Sequence, residues 1–240
     1  MTNLLYQTDS YLKEFDATVL EVIPESNAVI LDQTAFYPGG GGQSYDRGTI
    51  TFSGKQSALK RAKHSPDGML HIIEKDQPLP EVGEEIHGVI DWERRYKMMR
   101  THTAMHVLCG TIYRDYGALV TGGNMEPLKG RMDFEFEHLT KDLISVIELA
   151  VNKEVETARA VKVATHTREV AFKIPDLIRT KINLLPEHIT EIRTIEIVGL
   201  DLQADGGTHV RNTSEVGQIK VTDYKSKGKI NKRIYVELTE

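Results

Sequence analysis

The sequence predicts an α+β protein, and three observations carry that reading. Short β-branched runs divided by Gly, Pro and Asp fill residues 1–88; a Pro-free stretch of strong helix formers begins at Trp92; alternating strands return on either side of a second helical pattern. Many short strands with turns between them suggest a small β-barrel domain over 1–88, followed by a second domain over 89–240 that mixes helices and antiparallel strands.

In order, Ala17–Ile23 and Ala28–Leu31 read as strands joined by the turn Pro24–Asn27. Gly48–Phe52, His71–Ile73 and Ile86–Ile90 are further short strands. From Trp92 to Tyr113 the apolar residues recur at helical intervals, giving one or two consecutive helices. Arg131–Phe136 alternates as a strand. Thr140–Val155 is an amphipathic helix with Thr140 as its N-cap. Val161–His166 is a strand, Glu169–Lys181 a helix interrupted at Pro175, and Thr194–Val198 a strand leading into a turn over 201–207. Gln218–Thr222 and Arg233–Leu238 close the chain as strands, with a basic loop, Lys225–Lys232, between them.

The bulk properties exclude several classes. The chain has 240 residues, enough to bury cores without disulfide staples. Cys109 is the single cysteine, so no intrachain disulfide forms, which suits a reducing compartment. The N-terminus lacks the basic start and apolar run of a signal peptide, and no stretch approaches the roughly 20 apolar residues of a membrane span. A cytoplasmic protein without membrane attachment is expected. The net charge of −5 disfavours generic, charge-driven nucleic-acid binding while permitting a local basic patch.

Two histidines at helical spacing carry the chemistry. His102 and His106 are four apart, so on a helix they project from one face. About a hundred residues later, Asp205 and His209 flank a turn opened by Gly206 and Gly207. Imidazole and carboxylate both bind zinc, and these four residues suit a four-coordinate site. A zinc-protease helix of the H-E-x-x-H type needs Glu after its first histidine; Thr103 stands there, so that reading fails. Cys109 shares the helical face but lies about 10 Å along the axis from His102, too far to share an ion with both histidines, and reads as a core residue. A separate block, Gly39-Gly40-Gly41-Gly42-Gln43, offers backbone N–H groups to a phosphate or a closely approaching partner. No Gly-Lys-Ser/Thr follows, so it is not a nucleotide P-loop.

Four ordered blocks then resemble the alanyl-tRNA editing proteins (AlaX, medium-length form), free-standing relatives of the editing domain of alanyl-tRNA synthetase. They are Asp32…Phe36-Tyr37-Pro38…Gly41-Gly42-Gln43, Asp91-Trp92-Glu93-Arg94-Arg95, Arg100-Thr101-His102…His106, and Gly206-Gly207-Thr208-His209-Val210…Thr213-Ser214-Glu215-Val216-Gly217. The resemblance implies a β-barrel followed by an α/β two-layer editing domain of the type common to threonyl- and alanyl-tRNA synthetases. It implies one zinc per chain and hydrolysis of mischarged tRNA(Ala), carrying Ser and in some members Gly. Where the family often has Cys before Gly-Gly-Thr-His, this chain has Asp205. Three readings of Asp205 stand: a direct ligand, a group behind three histidine ligands with water in the fourth position, or a sign of weak metal binding.

On this resemblance the hydroxyls of Thr101, Thr103 and Thr208 are candidates to hold a serine side chain or a water, and Asp133 to orient a ligand histidine. The glycine block with Gln43, and the basic residues Arg94, Arg95, Lys97 and Arg100, are candidates to meet tRNA. Lys225, Lys227, Lys229, Lys232 and Arg233 form a second candidate patch. Two other functions fit the same residues: a non-catalytic tRNA-binding module with a decayed metal site, and an aminoacyl-ester hydrolase of different amino-acid specificity.

Overall fold

Period-two alternation of inward apolar and outward polar side chains lets six strands close on themselves. In a computed structural model, which describes residues 2–175, 177–180 and 189–239, the chain divides into two compact units, Met1–Tyr96 and Lys97–Glu240. The first is a closed barrel of β1 (Glu14–Ile23), β2 (Ala28–Leu31), β3 (Gly48–Phe52), β4 (Lys55–Ser65), β5 (Gly68–Ile73) and β6 (Glu85–Ile90). Its order is β1-β2-β5-β4-β3-β6, antiparallel throughout. Phe15, Val19, Leu31, Phe36, Ile50 and Met69 are among the residues that fill it. Burying each such side chain contributes about 1.5–3 kcal/mol.

Strand β4 escapes the sequence pattern. Its charged residues face outward, and a bulge between Leu59 and Arg61 breaks the alternation that would otherwise mark Ser57, Leu59 and Ala62 as one buried face.

The glycine block is a tight hairpin at the barrel surface. Gly40 and Gln43 exchange both backbone hydrogen bonds, at 3.0 and 2.9 Å, around Gly41 (φ 57°) and Gly42 (φ 88°). Positive φ at both central positions is what a type I′ turn requires, and glycine adopts it without a Cβ clash. The base of this hairpin is fixed by Asp46, whose carboxylate accepts the Tyr37 N–H at 2.7 Å. The same carboxylate takes the guanidinium of Arg95, which also donates to the carbonyls of Ser10 (3.0 Å) and Ala35 (2.6 Å).

Helix α1 (Trp92–Tyr116) is a single helix of 25 residues. The Asp91 carboxylate starts it by accepting the Arg94 N–H at 3.1 Å. Every residue from Thr101 to Ile112 is buried, so the helix lacks the polar face of a surface helix. The second unit adds β7 (Val120–Glu126), β8 (Lys129–Glu135), α2 (Lys141–Glu156), β9 (Val161–Thr167), α3 (Arg168–Ala171), β10 (Glu191–Ile197), β11 (Asp201–Ala204), β12 (Ile219–Ser226) and β13 (Asn231–Leu238). One antiparallel sheet runs β12-β13-β8-β7 and another β9-β10-β11. Thr140 caps α2 by accepting the Leu143 N–H at 3.2 Å, and Ile144, Ile147, Val151 and Val155 bury its apolar stripe.

Two expectations change. Among the described residues, the helix expected over 169–181 is only α3: after Phe172, the N–H groups of Lys173 and Ile174 bond three residues back, and Pro175 has none to donate. Residues 176 and 181 of that expectation lie outside the described residues. The turn expected over 201–207 begins as a strand, because residues 201–204 pair with β10 before the glycines break the ladder.

His71 is fully buried in the barrel unit, its Nε2 2.8 Å from Thr34 Oγ1, and burial lowers its pKa from 6.5 to about 4. Between those values the unfolded chain binds a proton that the folded chain refuses. Stability therefore falls as pH drops from about 6.5 toward 4, by about 3 kcal/mol in total. Urea unfolding of the barrel signal across that range should show this loss, and His71→Gln should flatten it.

Candidate metal centre

Helix geometry supplies the first half of the site. His102 and His106 stand one turn apart on α1, with ring centroids 5.2 Å apart. The second half comes from the turn after β11. The Asp205 N–H donates to the Arg193 carbonyl at 3.1 Å, and the Arg193 guanidinium donates to the carbonyls of Asp205 (3.0 Å) and Gly207 (2.9 Å). Asp205 Oδ1 accepts the Gly207 N–H at 2.6 Å. This turn brings His209 to centroid distances of 4.1 Å from His102 and 4.8 Å from His106.

Three imidazole Nε2 atoms thereby face one carboxylate. Asp205 Oδ1 lies 3.1 Å from His209 Nε2, and Oδ2 lies 3.4 Å from His102 Nε2 and 3.9 Å from His106 Nε2. One ligand atom from each of the four falls within 4.8 Å of all the others. Four zinc ligands in a tetrahedron stand about 3.3–3.5 Å apart, so small side-chain rotations close this set around one ion. The donor types fit a divalent cation: three imidazole nitrogens and one carboxylate oxygen, with the histidines at most 6% exposed.

The electrostatics favour the ligating form at Asp205 and His209 and the protonated form at His106. Burial opposes charge on Asp205, but His102 and the hydrogen bonds from the histidines hold its pKa well below the ordinary carboxylate value. Burial and the neighbouring imidazolium charge push His209 well below 6.5, toward the neutral form a ligand needs. Burial also opposes charge on His106, yet Asp201 and Asp205 outweigh it and lift His106 to about 9, so a metal that bound there would displace a proton.

The remaining candidate residues separate. Thr103 belongs to the site: its hydroxyl lies 3.2 Å from His209 Nδ1 and accepts the Val210 N–H at 3.3 Å. Thr208 is fully buried beside His209. Thr101 serves the backbone instead, donating to the Lys97 carbonyl and accepting the Leu128 N–H, both at 2.8 Å. Asp133 does not orient a histidine. Its neighbour across the β8–β13 pair is Arg233, which binds it through Nε (2.6 Å) and Nη2 (2.8 Å). Asp201, which the sequence did not single out, places Oδ2 3.0 Å from His106 Nδ1.

Among the basic residues, Arg95 is fully buried on Asp46, out of reach of a phosphate. Arg100 donates to the carbonyl of Val216 at 3.1 and 3.0 Å and to that of Thr239, so it clamps the end of the chain. Arg94 is half-buried and donates to Ser44 Oγ at 2.8 Å, next to the glycine hairpin. Gln43 is buried, while Gly40 and Gly41 are exposed.

Residues 8–94 match the family described as tRNA synthetases class II (A), and residues 192–235 match the threonyl and alanyl tRNA synthetase second additional domain. The alanyl-tRNA editing protein AlaX-M of Saccharolobus solfataricus is 41% identical over 237 residues, 98% of each chain. The chain belongs to the AlaX-M alanyl-tRNA editing proteins. The AlaX-M of Methanosarcina mazei is 35% identical across all of this chain and 98% of its own length. The alanine–tRNA ligase of Ignicoccus hospitalis is 36% identical over 92% of this chain, which spans 24% of that protein. Among the described residues, no helix is long and apolar enough to cross a membrane.

Arg193 has a measurable role in this centre. Arg193→Met removes two charge-assisted hydrogen bonds, so unfolding in urea should show a loss of about 3 kcal/mol. The Asp205 turn should loosen with it, and the variant should retain less metal after dialysis against chelator.

Proposed function

We propose that this chain is a trans-editing hydrolase that cleaves the aminoacyl ester of mischarged tRNA(Ala), with Ser-tRNA(Ala) as the principal substrate and Gly-tRNA(Ala) as a second. The observation that carries this reading is the convergence of three buried histidine Nε2 atoms on the partly buried Asp205 in an AlaX-M chain. His102, His106, His209 and Asp205 would hold one zinc ion. Bound zinc supplies Lewis acidity toward an ester carbonyl or a water.

The chain's own residues do the rest. Thr103 orients His209 through Nδ1. Thr208, on the ligand turn itself, is assigned to the substrate hydroxyl. A site that hydrogen-bonds that hydroxyl gains a contact with serine that alanine cannot make. The barrel unit carries tRNA recognition, through the exposed edge of the glycine hairpin and the neighbouring Arg94. Residues after it carry the chemistry. The cytoplasm, where tRNA is charged, is the place of action.

His102→Ala, His106→Ala and His209→Ala should each abolish deacylation of Ser-tRNA(Ala) and deplete zinc measured by elemental analysis. A variant that keeps wild-type activity would remove its residue from the ligand set. Asp205→Ala should lower zinc affinity and rate, whereas Asp205→Cys should retain the metal, since thiolate is the softer ligand. An Asp205→Ala protein with unchanged zinc and rate would show that the carboxylate plays no part.

The hairpin calls for a paired assay. Val at Gly40 and Gly41 meets positive φ, at 145° and 57°, which a β-branched residue resists. The rate on Ser-tRNA(Ala) should fall while the rate on a minimal serine ester of adenosine holds, with zinc content unchanged. Equal losses on both substrates would mean that the hairpin supports the fold rather than recognition.

A further inference from the structure

The two helix histidines look equivalent in sequence. The face of His106 turned away from Asp205 meets a second carboxylate: Asp201 Oδ2 lies 3.0 Å from His106 Nδ1. The Asp201 side chain is fully buried and is itself held in place. Gln203 Nε2 donates to the same oxygen at 2.7 Å, and Arg179 Nε lies 3.5 Å from the other oxygen. The Arg179 guanidinium is stacked over the Tyr113 ring at 3.8 Å, so the ion pair is backed by α1.

The approach depends on one residue of α1. At Gly110, one turn beyond His106, a Cβ would lie 2.8 Å from the Asp201 Cβ and 3.1 Å from Leu200. Only a residue without a side chain lets the start of β11 lie this close to the helix. The left-handed Gly199 (φ 74°) turns the chain just before this contact.

From this geometry we infer that Asp201 is a positioning residue for the metal centre, fixing His106 with its proton on Nδ1 and its Nε2 lone pair directed at the ion. The inference rests on the metal reading given above. An imidazole bound by a carboxylate at one nitrogen is locked in tautomer and ring orientation and is a more basic ligand at the other. His209 receives a weaker, neutral counterpart from Thr103, at 3.2 Å. Asp201 lies four residues before Asp205, so one short segment supplies both a ligand and the group that aims another.

Asp201→Asn keeps the shape of the side chain but replaces its acceptor-only carboxylate with an amide. The amide N–H can hydrogen-bond His106 in the opposite tautomer, with the proton turned toward the metal. Zinc affinity, measured by competition with a chromophoric chelator on the full chain, should fall about 10- to 100-fold. In the zinc-loaded protein, the His106 Nδ1–H proton resonance should move upfield in D201N while those of His102 and His209 stay in place. A purely structural role for Asp201 would not move that one resonance selectively. Gln203→Met is the milder second variant, removing the amide that steadies Asp201, and should weaken zinc binding several-fold in the same direction.

Wild-type zinc binding alongside D201N and Q203M affinities within twofold of wild type would overturn the inference alone. If D201N does not fold, an unchanged zinc affinity and an unchanged His106 resonance in Q203M would overturn it. A wild-type chain that takes up no zinc would overturn the metal reading and this inference together.

Discussion

A carboxylate largely enclosed by three imidazoles must be compensated from several directions, because transfer of an isolated charge into a protein interior costs several kcal/mol. Asp205 meets that demand through His102, His106 and His209 and through the Gly207 N–H. Each compensating group imposes a requirement on the fold around it. The two histidines of α1 need an unbroken helix through buried surroundings. The turn needs Arg193 to tie together its carbonyls, and glycines to let the backbone bend. These requirements bring one ligand atom from each of the four residues within 4.8 Å of the others.

The barrel unit is organised around a different buried charge. Arg95 is among the largest fully buried side chains, and Asp46 neutralises it. Asp46 also holds the base of the glycine hairpin through Tyr37. The first turn of α1 and the hairpin are thus set by one ion pair. Removing one partner of such a pair typically costs about 3–5 kcal/mol, since it strands the other charge in the interior. A residue that looks in sequence like part of a basic phosphate-binding cluster is therefore a structural keystone of this unit.

The candidate metal ligands and the rest of the cluster differ in how far their roles can be read. Ligation needs a residue type with a lone pair at a spacing that a helix or a turn can enforce, and both appear in the linear chain. Orientation needs a contact between segments about 95 residues apart, as in Asp201 with His106. Such a contact leaves no local periodicity behind.

The sequence by itself determined the α+β class, the barrel's shorter strands, the long helix from Trp92, the capped helix after Thr140, and the four residues that meet at the candidate metal centre. Each is a local property: alternation, helical spacing, a capping side chain, or ligand types flanking glycines. Tertiary structure decided the rest. It closed β4 into the barrel despite its charged composition, because only the inward face has to be apolar. It shortened α3, where turns and Pro175 end the helical bonding. It turned Arg95 and Arg100 inward to carboxylate and carbonyl partners, gave Asp133 to Arg233, and chose Asp201 to face His106. Those choices depend on which buried groups must be satisfied once the chain is packed, and that requirement exists only after distant segments meet.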